Sequence, residues 1–303
     1  MINVGAKTKT LRYARAEGVL RTTSEVADRV RRNDIPKGNV SATARAAGIF
    51  SAKRTSDLIT FCQPIPLDWV DIQVEAQTEG KILVTGEVET VWKTGVEMEA
   101  VTAVSTALLN IFDMLKPLDP AMEMGGIRVV EKRGGKSQFE EEFSRDLKTA
   151  VLVISDSTYE GTREDKSGKV IREFLKDYPI DVSVYEILPD VQEQIRERVN
   201  VLVEAEEMDL VVTTGGSGFG PKDLTPEAIR PLLEKEAPGI AEQLRRYGSE
   251  RTPYAMLSRG VAGTIGETLV LCLPGSSNGA RESLQALFPG VLHIFPMLWG
   301  GGH

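Results

Sequence analysis

The stretch that most constrains this chain is LVVTTGGSGFGPKDLTPEA, residues 210–228. Three apolar residues run through two threonines into paired glycines, a Gly- and Pro-rich loop, Asp223 and a Thr-Pro step. That order reads as strand, tight loop, helix. Backbone N–H groups between Gly215 and Gly218 can approach an anion, because glycine lacks Cβ and tolerates positive φ. Thr225 reads as an N-cap and Pro226 as the first helical residue, which would turn the positive end of a helix toward the loop. An aspartate such as Asp223, one turn before a helix and beside an anion site, makes chemical sense if it serves a metal ion or a proton transfer. The same composition also suits a solvated surface turn, so the surroundings must decide. No GxxxxGK[ST] occurs, and GxGxxG is absent from this loop, which excludes a P-loop and the dinucleotide fingerprint.

The surroundings alternate. Apolar runs at 150–154, 182–188, 210–213 and 269–273 read as strands, and 168–178 and 191–204 between them as helices. Such alternation builds right-handed βαβ units on a mostly parallel sheet, a three-layer α/β domain. Ligands of these sheets gather at the carboxyl ends of strands. Four loops fall there: Ser155-Asp156, Pro189-Asp190, the glycine loop with Asp223, and Pro274-Gly275-Ser276-Ser277. Glycine turns and carboxylates on one edge suit a nucleotide whose phosphates share a magnesium ion, with Asp190 and Asp223 organising the metal. Ser276 and Ser277 would donate to phosphate or a heterocycle. In the plainer reading, Asp190 caps the helix that follows and Asp156 is a turn residue.

The first half has another rhythm. Helical periodicity covers 24–32, 40–53 and 96–115; alternation at 70–75 and 82–88 reads as a hairpin turning at Glu79-Gly80; 2–4 and 127–131 read as extended. Helices on an antiparallel sheet make a ferredoxin-like α+β domain. Glu97 and Glu99, two apart, face different ways unless their helix starts late. Asp113 and Lys116 close that helix, Lys116 as a plain dipole partner and Asp113 as its solvated neighbour. Residues 132–147 are polar, and 138–147 read as a linker between domains at 1–137 and 148–303.

At 303 residues the chain has length for two cores. Residues 1–147 carry 20 basic against 21 acidic side chains, and 148–303 carry 16 against 23. An acidic chain argues against nucleic acid as a partner. No apolar run reaches the ~20 residues of a membrane span, and MINVGAKTKT lacks a signal-peptide core, so a cytoplasmic protein is expected. Two distant cysteines, Cys62 and Cys272, and two histidines, His293 and His303, make zinc unlikely and magnesium the expected metal.

Several motifs of the second half occur together in one order: Ile154-Ser155-Asp156, Leu188-Pro189-Asp190, Thr213 to Gly218, Lys222 to Pro226, Pro238-Gly239 with Glu242, Leu257-Ser258-Arg259 and Leu273 to Ser276. Residues 148–303 thereby resemble the molybdopterin-binding family, in particular its adenylyltransferases. The resemblance implies attack of the terminal phosphate of molybdopterin on the α-phosphate of Mg-ATP, pyrophosphate release and a trimeric assembly. It places Asp190 and Asp223 as catalytic metal ligands. Ser155, Asp156, Thr214, Gly215, Gly216, Ser217, Gly218, Glu242, Pro274, Gly275, Ser276 and Ser277 then contact substrate. Ser217 stands where that family usually has threonine, and keeps the hydroxyl.

Residues 1–137 resemble the cyclic pyranopterin monophosphate synthases. The likeness rests on Gly5-Ala6-Lys7, Arg12 to Ala16, Lys37 to Val40, Ala42 to Arg45, Ala47-Gly48-Ile49, Ala52 to Thr55, Lys93 to Ala100, Asp113-Met114 with Lys116, and Gly134 to Ser137. It implies rearrangement of a GTP-derived cyclic dihydro-nucleotide with loss of pyrophosphate. Lys37 and Lys116 fall on active-site lysines, with Asp113 beside them. Arg12, Arg15 and Lys53 would hold the triphosphate, and Cys62, Gln63, Glu97, Met98 and Glu99 would meet the pterin precursor. The chain departs from that family at Cys62-Gln63-Pro64, usually Cys-His-Pro, and at Asn3-Val4, usually Asp-Val. Gln63 can hydrogen-bond but cannot shuttle a proton, and 1–147 hold no histidine to replace it. Together the resemblances imply a fused enzyme for an early and a late step of molybdenum cofactor synthesis, assembled on a three-fold axis as trimer or hexamer. The alternatives are an impaired synthase-like module that binds pterin or serves as an oligomerisation scaffold for one working transferase, and a second domain that binds without transferring, against which Asp190 and Asp223 argue.

Overall fold

Strand alternation organises the first of two units, Met1–Gln138. The computed structural model describes residues 1–301; His303 lies outside them, and the side chains of Lys136 and Ser137 are not described. Chain order is β1 (Thr10–Arg21), α1 (Ser24–Arg31), α2 (Val40–Ala52), α3 (Thr55–Leu58), β2 (Trp69–Ala76), β3 (Lys81–Trp92), α4 (Glu97–Leu115) and β4 (Glu123–Arg133). The antiparallel sheet has the order β2-β3-β1-β4, a ferredoxin-like α+β arrangement as expected. Ala14, Ala16, Leu20, Ile72, Val84 and Val88 turn one face of the sheet to Ala100, Ala103, Val104, Ala107 and Leu108 of α4. Small residues on both sides let the helix seat closely. By length and composition α4 could cross a membrane, but 56% of that stretch is buried in this core. The piece at 2–4 forms no strand, and α1 starts at Ser24 as expected, capped by Thr23.

The second unit runs from Phe139 onward. Of residues 138–147, expected as a linker, all but Gln138 belong to this unit: Phe143 meets Phe295 edge-on at 6.1 Å, and Arg145 forks onto Asp209 at 2.5 and 2.8 Å. The strands are β5 (Leu147–Ile154), β6 (Ile180–Leu188), β7 (Leu210–Thr214), β8 (Lys235–Glu236), β9 (Ala262–Ile265) and β10 (Thr268–Leu273). Between and after them lie α5 (Asp156–Tyr159), α6 (Ser167–Leu175), α7 (Gln192–Glu204), α8 (Thr225–Ile229), α9 (Pro238–Ser249), α10 (Ser277–Leu287) and α11 (Ile294–Leu298). The sheet order is β6-β5-β7-β10-β9-β8, parallel from β6 to β10 and antiparallel beyond.

Its strands read as continuous apolar runs because both faces are covered. Leu147, Val151, Leu210, Val212, Leu269 and Leu271 pack with α6, α9, α10 and α11; Ala150, Leu152, Ile154, Val211, Val270 and Cys272 pack with α7 and α8. This is the three-layer α/β domain expected. From β5 the chain crosses to β6 on one side and then to β7 on the other. The crevice between the carboxyl ends of β5 and β7 is therefore the sheet's switch point.

Candidate functional site

The register aligns the strand ends. Ile154 pairs with Leu188, Val153 with Thr214, and Thr214 with Leu273, so the loops after β5, β6, β7 and β10 emerge side by side. They enclose a cavity of about 370 Å³ lined by Ser155, Asp190, Gly215, Gly216, Asp223 and Ser277, among others. Gly215 (φ +107°) and Gly216 (φ +58°) make the turn. A Cβ at Gly215 would sit 2.0 Å from Ile154 O, and one at Gly275 would sit 2.9 Å from the Gly215 Cα. Two bare backbones thus touch where any side chain would part them. Ser276 Oγ accepts the Gly279 N–H at 3.1 Å and starts the eleven-residue α10 at the cavity wall.

The carboxylates hold one another. The Asp156 N–H donates to Asp190 Oδ2 and the Asp190 N–H donates to Asp156 Oδ1, both at 2.9 Å. Lys222 pairs with the other oxygen of Asp156 at 2.5 Å, and this ion pair holds the Asp156 carboxyl below the ordinary range. Asp190 is pushed the opposite way, by burial first and then by the like charges of Asp156 and Asp223. Asp223 Oδ2 accepts the Gly220 N–H at 2.7 Å. Each of Asp190 and Asp223 so spends one oxygen on a backbone amide and faces the cavity with excess negative charge, which suits a divalent cation. Among the described residues no group of three or more His, Cys, Asp or Glu forms a closed metal site. A cation here would take its other ligands from phosphate and water.

Several expected roles are redistributed. Asp190 does not cap α7, whose N-cap is Val191 without a side-chain bond. Thr225 does not cap α8; its Oγ1 donates to Gly215 O at 2.9 Å, fastening the turn from below. Thr214 is fully buried in the wall of the cavity, and its hydroxyl donates to Pro274 O at 2.8 Å, joining two loops. Ser155 accepts the Thr158 N–H at 3.3 Å as the cap of α5. Asp156 is turned out of the cavity toward Lys222. Ser217, Gly218 and Pro274 line a neighbouring cavity of about 400 Å³, with Leu244, Tyr254 and Leu257. Glu242 lies on the exposed side of α9 and lines neither cavity.

In the first domain the expected residues fall into separate places. Lys37 Nζ donates to Asp113 Oδ2 at 2.9 Å and Lys116 Nζ reaches Oδ1 at 2.8 Å, so two lysines share one carboxylate. Lys116, then Lys37, draw Asp113 down to about 2. Cys62, Gln63, Glu97, Met98 and Glu99 line a cavity of about 590 Å³ with Met1, Ile2 and Val4. Glu97 and Glu99 both line it although they are the first and third residues of α4, so no late helix start is needed for them to share a pocket. Glu99 is 3% exposed and burial, aided by Glu97, pushes its carboxyl to about 7. It can therefore donate or accept a proton near neutrality. Gln63 Nε2 donates to Ile2 O at 3.0 Å. Arg12 lines an adjoining pocket of about 270 Å³ with Lys7, Lys132 and Arg133, sharing Gly95 and Glu97 with the larger cavity. Arg15, three along β1, points to the opposite face, so one copy cannot bring both arginines to one triphosphate. Lys53 is the exposed C-cap of α2 and lines neither cavity. Glu99 and Asp113 sit at opposite ends of α4, roughly 21 Å apart along its axis at 1.5 Å per residue.

Residues 1–135 match the MoaC family, and residues 150–293 match the family described as "Probable molybdopterin binding domain". A molybdenum cofactor biosynthesis bifunctional protein of Chlorobaculum tepidum is 43% identical over 303 residues, spanning 100% of this chain and 96% of that one. The chain belongs to the molybdenum cofactor biosynthesis bifunctional proteins. Another, from Synechococcus elongatus, is 38% identical over 315 residues, 100% of this chain and 98% of that one. A cyclic pyranopterin monophosphate synthase of Roseiflexus sp. (strain RS-1) is 50% identical over 139 residues, 45% of this chain and 87% of its own. This member of the family is a bifunctional enzyme, with a cyclic pyranopterin monophosphate synthase-like domain followed by a molybdopterin-binding/adenylyltransferase domain.

Sequence reasoning passed over one wall of the bifunctional enzyme's second site. Arg163, Asp165 and Lys166 line the 370 Å³ cavity from the turn before α6, and Ser167 from its first position. Asp165 is buried, accepts the Gly168 N–H at 2.9 Å and pairs with the Tyr185 hydroxyl, whose pKa rises through burial and that contact. The available signal was an Asp-Lys-Ser-Gly run at a helix start, in a segment without apolar periodicity.

Proposed function

We propose that the second domain transfers the adenylyl group of Mg-ATP to the terminal phosphate of molybdopterin. An oxygen of that phosphate attacks the α-phosphorus, the bond to the bridging oxygen of the β-phosphate breaks, and pyrophosphate leaves. The observation that carries this reading is the convergence of Asp190 and Asp223 with Gly215 and Gly216 on one cavity at the sheet's switch point. The amides of the glycine turn and the start of α10 orient phosphate oxygens, and Asp190 and Asp223 hold the cation. A bound magnesium ion supplies neutralisation of the charge that develops on the leaving pyrophosphate. Arg163 and Lys166 add positive charge at the rim, and the neighbouring cavity offers apolar walls to a planar heterocycle. Purified protein given molybdopterin and Mg-ATP should form adenylylated molybdopterin and pyrophosphate. Asp223→Asn should abolish that product while leaving molybdopterin binding intact; a normal yield from the variant refutes the role.

For the first domain we propose conversion of the GTP-derived cyclic dihydro-nucleotide into cyclic pyranopterin monophosphate and pyrophosphate. The pocket of Lys7, Arg12, Lys132 and Arg133 suits a triphosphate, and the adjoining cavity with Glu99 suits a pterin. Lys37, Asp113 and Lys116 lie at the far end of α4, so we place them in a site completed by a second copy of the chain, in keeping with a three-fold assembly. A scaffold role has one observation in its favour: Gln63, at the usual histidine position, spends its amide N–H on Ile2 O. Pyrophosphate release from the supplied intermediate decides between them, and no turnover favours the scaffold. Nucleotide substrates and two free thiols fit a cytoplasmic setting.

A further inference from the structure

Arg259 makes three contacts that converge on one loop. Its Nε donates to Gly218 O and its Nη2 to Asp223 O, both at 2.7 Å, while Nη1 pairs with Glu227. The guanidinium also stands 5.3 Å from the ring centre of the otherwise exposed Phe219. Gly218 and Asp223 bracket the segment that presents the Asp223 carboxylate. Inside the bracket the loop closes on itself, with the Asp223 N–H donating to Gly220 O at 3.0 Å and the Gly220 N–H donating to Asp223 Oδ2 at 2.7 Å. Outside it, Arg259 is anchored through the sheet, since the Cys272 N–H donates to Val261 O at 2.8 Å just before β9.

Of the loop that Arg259 grips, Asp223 is the residue that lines the 370 Å³ cavity, so the grip bears on where that carboxylate stands. The two carbonyls gripped by Arg259 are held by a side chain that lines a different cavity, of about 540 Å³, together with Arg230 and Arg245. It does not line the 370 Å³ cavity of Asp190 and Asp223. We infer that Arg259 is a positioning residue for adenylyl transfer. It fixes the 218–223 loop so that the Asp223 carboxylate stands in the cavity that Asp190 also lines. The inference rests on the adenylyltransferase reading. Only a guanidinium fork makes these three diverging bonds at once; lysine, a point donor on a flexible stem, cannot. Glu227 holds the fork in register.

The test compares full-length wild type, Arg259→Lys and Glu227→Gln in three measurements. These are amide hydrogen exchange without nucleotide, the rate and Mg²⁺ dependence of adenylyl transfer, and binding of molybdopterin by calorimetry. Arg259→Lys should speed exchange in 218–224 about ten-fold or more, leaving the rest of the domain protected. It should raise the Mg²⁺ needed for half-maximal rate several-fold and lower kcat by about 10- to 100-fold, with molybdopterin affinity within about two-fold. Glu227→Gln should shift each quantity the same way by less. Unchanged exchange in 218–224 with unchanged Mg²⁺ dependence overturns the inference, as does faster exchange spread evenly over the domain. Should Arg259→Lys fail to fold, Glu227→Gln decides by the same criteria. If wild type itself makes no adenylylated product, the proposed function fails, while the exchange comparison still decides whether Arg259 holds the loop.

Discussion

A buried carboxyl and two interlocked ones set the chemistry at the scale of single residues. Glu99 titrates near 7 because burial penalises its charged form, with the like charge of Glu97 adding to the effect. Its folded pKa lies above its unfolded value, so the native state keeps the proton longer. Folding stability therefore falls as pH rises from about 4.5 to about 7. Glu99→Gln, which cannot ionise, should stabilise the first domain by up to roughly 3 kcal/mol at pH 8 and by almost nothing at pH 4. Urea unfolding of both proteins at the two pH values checks this; an equal gain at both would contradict it. In the second domain Asp156 and Asp190 each accept the other's N–H across a 34-residue separation. The strand-end rule found both residues in the sequence. Their reciprocal bonds were not legible there, because they depend on how β5 and β6 pair. The pairing of Arg12 with Arg15 failed for a related reason: side chains three apart in a strand face opposite ways, and β1 was not read as a strand.

Among the elements, the legible ones were those whose apolar residues are large. The parallel strands announced themselves as runs of Val, Leu and Ile buried on both faces. In β1 the inward residues ahead of Leu20 include Ala14, Ala16 and Gly18, whose small side chains leave almost no hydrophobic signal although they seat α4. At the loop after β7 the glycines were read correctly as a turn. The cap at Thr225 was not, since its hydroxyl is taken by Gly215 O, a contact that closes only when the chain doubles back. The turn itself is the brittle part. A Cβ at Gly215 would meet Ile154 O at 2.0 Å with φ at +107°, and neither strand can move without breaking the sheet. Gly215→Ala should destabilise the second domain by about 2–4 kcal/mol and abolish adenylyl transfer, read by denaturant midpoint and product formation. A midpoint within about 0.5 kcal/mol of wild type would show that the close approach does not constrain the fold.

For the molecule as a whole, two enzymes share one chain, and each unit carries its own core and its own cavities. The first unit separates Lys37, Asp113 and Lys116 from Glu99 by most of the length of α4, and the proposal that copies of the chain complete one another's sites can be tested by mixing variants. Lys116→Ala and Glu99→Ala, each inactive alone, should on mixing and reassembly recover about a quarter of wild-type cyclic pyranopterin monophosphate synthesis, since one random pairing in four restores an intact site. No recovery from well-mixed oligomers would mean that the two clusters act separately. The second unit makes the stronger claim, that acidic side chains and bare amides at the ends of parallel strands share one cation and one polyphosphate. Crystals of the full chain grown with Mn²⁺ and α,β-methylene-ATP test it most directly, through the anomalous scattering of the metal. A metal peak beside the carboxylates of Asp190 and Asp223 is expected, with the α-phosphate against the Gly215-Gly216 turn. Nucleotide bound elsewhere, or a metal peak touching neither aspartate, would contradict it.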